Sequence, residues 1–502
     1  MSGIDFTRRY GVLLHPTALK TPWGIGDIGK SSRKLVDWLH ESGATVWQLL
    51  PTGVTDKWGC PYSSYSAFGG NPMLICLEDL VADGLLSESQ LITSWDDYTK
   101  VNFQKSWDKK RKVLKDSFEN FKNDPTSEKV FSDFLSREGY WVHDLANFLV
   151  LTEMHGDDWT KWPVEIRDRE VDEMDKFETN HSDDISFQIY LQFLFEKQWN
   201  QMKSYAHSKD VKLFGDIPIF IAHHSMDVWR HPELFKLKED GDMEVETGAP
   251  PDSFSESGQK WATPNYNWET MRSLDYQWWV DRVRYLSEKF DLLRLDHFIG
   301  FVHVWESPKI DPDARNGAWS PTPGREMFKV FEEKIGKLPF IAEDLGAVDA
   351  EVLKLRDDFQ FPGMKILQFA FGGDDANDHL PENTPENFVV YTGTHDNNTV
   401  LGWYEERQQA KAEDELDRMY EILSKYSNKT AIHDKFLETA MKTKAFLCVF
   451  PIQDIFGLGG EARFNYPGTT DASNWSWTMD LKMLSPKRAG ELTTMAKETG
   501  RL

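Results

Sequence analysis

Acidic residues stand at the C-terminal ends of several short apolar runs, and these side chains are the ones best suited to chemistry. They are Asp216, Asp296, Glu343 with Asp344, and Asp396. Buried like charges repel and shift one another's pKa, so a set of four such ends is hard to explain by structure alone. Converging carboxylates favour glycosyl chemistry, in which one attacks the anomeric carbon and a protonated second one serves the leaving oxygen.

A basic residue accompanies one of these carboxylates. Arg294 precedes Asp296 by two residues, so on a strand both side chains point to the same side. The fixed guanidinium charge would keep Asp296 ionised and nucleophilic. Glu343 would then have to hold a proton near neutral pH, which requires a raised pKa. The residues by themselves leave these roles open.

The elements that would position these residues are short, continuous apolar runs, which are typical of parallel strands buried on both faces. Helical patterns between several of them, such as the one from Ser31 to Ser42, predict βαβ units. The fold class is therefore predicted as α/β, a (β/α)8 TIM barrel with its active site at the C-terminal ends of the strands. An open doubly wound sheet is the alternative. The eight runs cover 10–15, 45–50, 212–220, 292–298, 340–345, 364–371, 388–396 and 445–450.

The spacing of the runs predicts one catalytic barrel domain, 1–502, with large insertions. The segment 52–211 after the second strand is too long for a structureless loop, and its charged, periodic stretches predict a mostly helical insertion subdomain. Those stretches lie near 104–123, 129–151 and 184–207. A smaller insertion is predicted at 221–290. Its Gly/Pro/Ser-rich part, 247–258, predicts a mobile lid loop.

The composition excludes several classes of partner. Acidic residues outnumber basic ones 82 to 57, for a net charge of −25, and this field repels nucleic acid. No apolar run approaches the roughly 18 residues that would cross a membrane. Three sparse cysteines and no visible signal peptide predict a cytoplasmic location. The 20 tryptophans fit either an aromatic core or stacking platforms for sugar rings.

No cofactor and no metal are expected. The segment Gly24 to Gly29 matches G-x-G-x-x-G, but several residues separate it from the first strand. The second strand also lacks the terminal acidic residue that would hold a ribose, so a tight turn before a helix is favoured. His223 and His224 have no cysteine or carboxylate at ligand spacing.

Six blocks of sequence closely resemble the 4-α-glucanotransferases, also called amylomaltases or disproportionating enzymes, of the α-amylase clan. The resemblance covers essentially the whole chain. It implies retaining transfer of an α-1,4-glucan segment, through a covalent glycosyl-enzyme, to the 4-position of another glucan or of glucose. Malto-oligosaccharides would serve as donors and acceptors in starch, maltodextrin or glycogen metabolism. The blocks are 58–72, 215–219, 248–252, 294–298, 341–346 and 391–397.

The resemblance also assigns roles to residues. It implies Asp296 as the nucleophile, Glu343 as the general acid/base and Asp396 as the third carboxylate, which binds sugar hydroxyls and favours ring distortion. It implies substrate contacts by Tyr62, Asp216, Asp252, Trp261, Arg294, His395 and Asn465.

Two other functions stay open at this point. An α-amylase-like retaining hydrolase would use the same carboxylates, because the glycosyl-enzyme can pass its sugar to water or to a sugar hydroxyl. Transfer requires that a bound acceptor outcompete water, helped by loops that exclude solvent. The preference for transfer therefore rests on the resemblance. A non-catalytic glucan-binding scaffold is the third possibility, and loss of one of the three carboxylates would favour it.

Overall fold

A computed structural model of the chain describes residues 4–91, 98–124, 128–251, 255–346, 348–469 and 473–502. Within these ranges the chain forms twelve strands: β1 (Arg9–Leu13), β2 (Val46–Gln48), β3 (Lys212–Ile217), β4 (Val245–Ala249), β5 (Gln259–Pro264), β6 (Leu292–Leu295), β7 (His303–Pro308), β8 (Ala318–Pro321), β9 (Phe340–Ala342), β10 (Gly363–Ile366), β11 (Phe388–Tyr391) and β12 (Leu447–Pro451).

Seventeen α-helices lie in the same described ranges. They are α1 (Lys30–Ser42), α2 (Leu77–Ala82), α3 (Phe103–Lys122), α4 (Glu128–His155), α5 (Val164–Arg167), α6 (Val171–Asn180), α7 (Ser182–Ser208), α8 (Met226–Arg230), α9 (Trp268–Ser273), α10 (Gln277–Lys289), α11 (Gly324–Lys334), α12 (Ala350–Asp358), α13 (Val400–Gln409), α14 (Glu413–Tyr426), α15 (Ile432–Lys442), α16 (Ile452–Ile455) and α17 (Pro486–Glu498).

Eight parallel strands form a nearly closed barrel in the order β10-β11-β12-β1-β2-β3-β6-β9. The first strand pairs with both the second and the last, which an open doubly wound sheet with this chain order would not do. The eight predicted runs are these eight strands, so the predicted (β/α)8 barrel is confirmed. The remaining gap, between β9 and β10, is bridged by a hydrogen bond from the N–H of Ala342 to the carbonyl of Pro362, 2.8 Å long.

The strands end earlier than the apolar runs predict. β6 and β9 stop just before Asp296 and Glu343, although the backbone N–H groups of both residues still donate to the neighbouring strand. β11 ends at Tyr391, five residues before Asp396. Beyond these points the chain turns away from its neighbours to form the mouth of the barrel. The carboxylates therefore stand on the first residues of loops, or further along them, where side chains can reach a ligand.

Helix α1 shows how local sequence sets the elements around the barrel. It ends at Gly43, whose φ of 80° is the left-handed conformation predicted for a C-cap glycine. Its N-cap differs from the prediction, because Gly29 occupies that position and makes no side-chain cap. The hydroxyls of Ser31 and Ser32 instead donate to the carbonyl oxygen of Asp27 in the preceding turn.

The long insertion after β2 contains helices α2 to α7. The three stretches predicted to be helical are found as α3, α4 and α7, and each begins or ends within four residues of the prediction. Helices α4 and α7 pack against each other, and α7 also contacts α1 and β3 of the barrel. The insertion is thus built on the barrel through α7. The limits 52–211 of a separate subdomain stay a prediction.

A second, antiparallel sheet has the order β5-β4-β7-β8. Two of its strands lie in the predicted insertion 221–290, and the other two follow the fourth barrel strand. Residues 247–249 belong to β4 rather than to a loop, because they pair with both β5 and β7. Residues 252–254 lie outside the described part of the chain, so the lid at 247–258 stays a prediction.

The buried apolar side chains form one cluster that runs from Ile4 to Ala496. Several tryptophans belong to it, and Trp47, Trp199, Trp229 and Trp279 are less than 2% exposed. Most of the unusual tryptophan content therefore serves the core, although Trp58 is 55% exposed. None of the described helices is both long and apolar enough to cross a membrane.

Candidate active site

Arg294 lies at the centre of the barrel mouth, between two carboxylates. Its Nη1 atom is 2.7 Å from Asp216 Oδ2 and 2.8 Å from Asp296 Oδ1. Asp216 pairs directly with Arg294 across β3 and β6, which explains why the two side chains meet. Burial lowers the pKa of Arg294, but the charges of Asp216 and Asp296 outweigh it and hold that pKa well above its ordinary value. Arg294 is therefore a permanent cation beside Asp296.

The two carboxylates differ in exposure. The side chain of Asp216 is fully buried, whereas that of Asp296 is 27% exposed. Burial raises the pKa of Asp216, and Arg294 opposes this increase. Asp216 thus holds the Arg294 guanidinium from the buried side. Asp296 is ion-paired to the same arginine but remains partly exposed.

Glu343 follows the next strand along the barrel and lies beside Asp296. Its Oε2 atom accepts a hydrogen bond of 2.7 Å from the backbone N–H of His297, the residue after Asp296. Burial raises the pKa of Glu343 to about 8, with a further increase from the charge of Asp296 and a decrease from Arg294. At neutral pH this carboxyl is therefore mostly protonated, and it can act as a general acid.

Asp344, the other acidic residue at this strand end, has a different environment. Its carboxylate pairs with Arg356 and accepts a 2.7 Å hydrogen bond from the backbone N–H of Met364 in β10. It therefore ties β9 to β10 across the gap in the barrel. These contacts of Asp344 are structural, whereas Glu343 contacts the backbone beside Asp296.

Asp396 lies on the loop after β11, and its side chain is 43% exposed. Its Oδ1 atom accepts a 2.7 Å hydrogen bond from Asn465 Nδ2 and lies 3.4 Å from His395 Nε2. Arg463 donates from Nη2 to the backbone carbonyl of Asp396, also at 2.7 Å. Both the backbone and the side chain of Asp396 are thus held by the segment that follows the last strand.

Aromatic rings form one wall of the site. The hydroxyl of Tyr62 donates to Asp216 Oδ2 at 2.7 Å, and its ring stacks on His395 with 5.3 Å between centroids and 15° between planes. Trp475 packs against both rings, at 5.8 and 6.0 Å. On the small sheet, Trp261 meets the imidazole of His297 edge to face at 4.8 Å. The site thus has flat apolar surfaces beside its charges, as sugar binding requires.

Strained backbone occurs in this same region. His297, Ala262 and Trp475 have φ values of 49°, 55° and 63°, the left-handed region that non-glycine residues seldom adopt. Each such residue costs on the order of 1–3 kcal/mol. His297 lies between the two central carboxylates, so its conformation directs its N–H toward Glu343.

The structure brings together nine of the ten predicted site residues. The tenth, Asp252, lies outside the described residues. Three residues that were not predicted from the sequence also support the site: Arg463, His297 and Trp475. Arg463 and His297 are close in sequence to Asn465 and Asp296, which was a usable signal. Trp475 had no comparable motif around it.

Within the described ranges, one group of three residues could hold a metal ion. In the same ranges, no hydrogen bond or ion pair joins this group to the carboxylates at the barrel mouth. The ligand atoms of Asp27, Cys76 and Glu78 lie within 4.8 Å of one another. Burial raises the pKa of the Cys76 thiol, which disfavours the thiolate that a metal needs. The Lys110 ammonium, buried nearby, donates to the carbonyls of Met73 and Ile75. The ammonium group of Lys110 thus already supplies a positive charge near Asp27.

Comparison with known proteins identifies the family. The family model described as 4-alpha-glucanotransferase matches residues 14–483. A 4-alpha-glucanotransferase of Thermus thermophilus is 38% identical over 504 residues, which cover 99% of this chain and 100% of the relative. One from Synechocystis sp. is 39% identical over 499 residues, with 98% and 97% covered. The chloroplastic/amyloplastic enzyme of Solanum tuberosum is 37% identical, with 94% and 82% covered.

A solved structure agrees with these relatives. The amylomaltase from Streptococcus agalactiae, in complex with acarbose, superposes with a TM-score of 0.94 at 34% identity and covers 99% of this chain and 100% of its own. The barrel and these matches place the chain among the β/α-barrel enzymes that act on glycosidic bonds. More particularly, it belongs to the 4-alpha-glucanotransferase family, a transferase family whose function is the transfer of glucan segments. The comparisons do not favour the hydrolase alternative.

Proposed function

We propose that this chain transfers α-1,4-glucan segments by a retaining double displacement, with Asp296 as nucleophile, Glu343 as general acid/base and Asp396 as the residue that binds sugar hydroxyls. One observation carries the proposal. Two adjoining carboxyl groups lie in opposite environments, Asp296 ion-paired with Arg294 and Glu343 with a pKa raised to about 8. Such a difference is the pattern expected of a nucleophile and an acid that work together.

In the first step, the Asp296 carboxylate forms a bond to the anomeric carbon of the donor sugar while the bond from that carbon to the bridging oxygen breaks. Glu343 gives its proton to that oxygen, so the shortened glucan leaves with a free hydroxyl and Glu343 becomes a carboxylate. The covalent glycosyl-enzyme that results carries an ester bond to Asp296.

In the second step, the 4-hydroxyl of an acceptor attacks the same carbon. Glu343, now a base, takes the hydroxyl proton, and the ester bond to Asp296 breaks as the new glycosidic bond forms. Two inversions at the anomeric carbon leave the α-configuration unchanged. Glu343 is protonated again and the enzyme is ready for another cycle.

Donors and acceptors of this reaction are α-1,4-glucans and malto-oligosaccharides, with glucose as the smallest acceptor. The support is the family, together with a relative that binds acarbose. The wall of Tyr62, His395 and Trp475 suits the flat faces of glucose rings, and Asn465 holds Asp396 in reach of their hydroxyls. A net charge of −25 has little effect on such neutral ligands.

Incubation with maltotriose tests this proposal. Transfer predicts free glucose and a ladder of longer oligomers, with the total number of reducing ends constant. Asp296→Asn and Glu343→Gln should each abolish the ladder, whereas a surface change such as Lys354→Gln should not. Products that are only shorter than maltotriose, with reducing ends increasing, would mean a hydrolase. An unchanged rate in Asp296→Asn would overturn the assignment of the nucleophile.

A further inference from the structure

The loop that carries Asp396 is closed at both ends by one buried side chain. This loop, 392–400, joins β11 to α13. The Asp454 carboxylate accepts a 2.5 Å hydrogen bond from Thr392 Oγ1 at the start of the loop and a 2.7 Å hydrogen bond from the N–H of Val400 at its end. Asp396 lies midway, four residues from each contact.

Asp454 itself is held firmly in place. It belongs to α16, directly after β12, which is the neighbour of β11 in the barrel. It is only 1% exposed, and its two oxygens are each used by one of the two donors. A buried carboxylate is costly, so it is retained where hydrogen bonds satisfy it. The two donors that satisfy Asp454 are both residues of the loop that carries Asp396.

Other contacts within and around the loop agree with this arrangement. Inside it, the Asn397 side chain accepts from the N–H and hydroxyl of Thr394. From outside, Arg463 binds the carbonyl of Asp396 and Asn465 binds its carboxylate. The segment 452–465 therefore contacts the loop at its start, centre and end, with Asp454 making the two outer contacts.

We propose that Asp454 is a positioning residue of the transfer reaction, acting through the loop 392–400 to hold Asp396 where it meets the sugar. This inference rests on the proposed role of Asp396. Asp454 has no place in the cleft and no contact with the reacting atoms. Its loss would let the loop relax, so that Asp396 would spend less time in the geometry that stabilises the transition state.

The effect should appear in kcat more than in KM. With maltotriose as substrate, Asp454→Ala should lower kcat by on the order of 10- to 100-fold, because small displacements of a positioned group have that effect. KM should change by less than about threefold, since Tyr62 and the other binding groups stay in place. Asp454→Asn can still accept from Val400 and should recover most of the rate. Thr392→Val, which keeps the side-chain volume and removes one hydrogen bond, should give an intermediate kcat.

Glu438 provides a matched control. It is another buried carboxylate, 5% exposed, and it accepts a 2.6 Å hydrogen bond from Ser427 Oγ in the segment that precedes α15. Glu438→Ala should therefore lower the thermal midpoint as Asp454→Ala does, but it should leave kcat unchanged. Comparing the two at a temperature where both are folded separates loss of positioning from loss of stability.

A double mutant tests whether Asp454 acts through Asp396. If it does, Asp454→Ala should have little further effect in an Asp396→Asn background, because there is no longer a carboxylate to position. Full additivity, or a kcat equal to that of Glu438→Ala, would overturn the inference and leave the proposed function intact. An Asp396→Asn enzyme with the wild-type rate would instead overturn the proposed role of Asp396.

Discussion

The proton on Glu343 is the property of a single residue on which the proposed chemistry most depends. A carboxyl group with its ordinary pKa would be ionised at neutral pH and could not protonate the leaving oxygen. The structure raises this pKa to about 8, chiefly by burial. Asp296, whose neighbour His297 donates to Glu343, is paired with Arg294 instead. The different tasks proposed for these two chemically similar groups thus arise from their surroundings.

The raised pKa predicts an alkaline limit to activity. As pH rises through about 8, Glu343 loses its proton, so kcat/KM for maltotriose should fall, by about tenfold per pH unit beyond that point. A profile of kcat/KM from pH 5 to 10 measures this. A maltosyl fluoride donor provides the control, because fluoride leaves without a proton and the first step should then lose its alkaline limit. The same fall with both donors would assign the limit to a different group.

Tyr62 combines two functions that can be separated by substitution. Its hydroxyl donates to the buried Asp216, and its ring stacks on His395. A hydrogen bond to a charged group is worth about 1.5–3 kcal/mol, so Tyr62→Phe should lower kcat/KM by roughly 10- to 100-fold. The ring remains, and the loss should fall mainly on kcat. Tyr62→Ala removes the ring as well and should also raise KM, as initial rates over a range of maltotriose concentrations would show. Equal KM values for both variants would argue against a stacking role.

The residues of the site differ in how far sequence could predict them. Asp296, Glu343 and Arg294 follow or belong to apolar strands, and the βα pattern alone places them at one end of a barrel. Asp454 gave no such signal, because an aspartate inside a short helical turn has many ordinary explanations. Its partners Thr392 and Val400 are 62 and 54 residues away along the chain. Contacts between residues so far apart in the sequence depend on the packing of two strands, and no local sequence pattern predicts them.

At the level of elements, the loop that carries Tyr62 depends on helix α7. Gln192 on that helix accepts from the N–H of Gly70 at 2.8 Å and donates to its carbonyl at 3.0 Å, so its amide pairs with the loop as a strand would. No other residue type fits at Gly70, because a Cβ there would lie 2.0 Å from the Phe195 ring. The helical insertion therefore holds one wall of the site.

Replacing Gln192 with leucine should weaken this attachment. Two buried backbone groups of Gly70 would lose their partners, at a cost of about 1–3 kcal/mol each. Urea unfolding should therefore show a lower midpoint, and KM for maltotriose should rise because Tyr62 is less well placed. Gln198 forms the same kind of pair with the backbone of Cys76. Gln198→Leu should lower stability similarly with little change in KM. An equal change in KM for both variants would contradict the prediction that Gln192 positions the loop of Tyr62.

Helices and barrel strands were predictable because each is a local pattern with a fixed period, as for α3 and α7. The small antiparallel sheet was not. The end of β4, 247–249, falls in the segment predicted to be a loop, and β5 was not predicted. β4 pairs with β5 and with β7, and β7, like its other neighbour β8, lies beyond the next barrel strand. Pairing supplied by distant strands overrides local preference in such segments.

For the whole molecule, the continuous apolar cluster has a direct consequence for unfolding. The barrel and the insertion share it, with Trp47 in the barrel and Trp141 in the insertion both buried. We therefore expect one cooperative transition rather than two. Circular dichroism and tryptophan fluorescence should give coincident urea curves. Separate midpoints would show instead that the segment 52–211 unfolds as an independent domain.

The gap between β9 and β10 gives the barrel a preferred place to open. Seven pairs of neighbouring strands are joined by continuous ladders of hydrogen bonds. Between β9 and β10, by contrast, the N–H of Ala342 donates to Pro362 and the N–H of Met364 donates to the Asp344 carboxylate. Amide protons along this line should exchange with solvent sooner than those of the β1–β12 pair. Glu343 lies between these two contacts. The proposed proton donor thus lies where the barrel is expected to open most readily, and a bound glucan that spans this place should slow amide exchange there first.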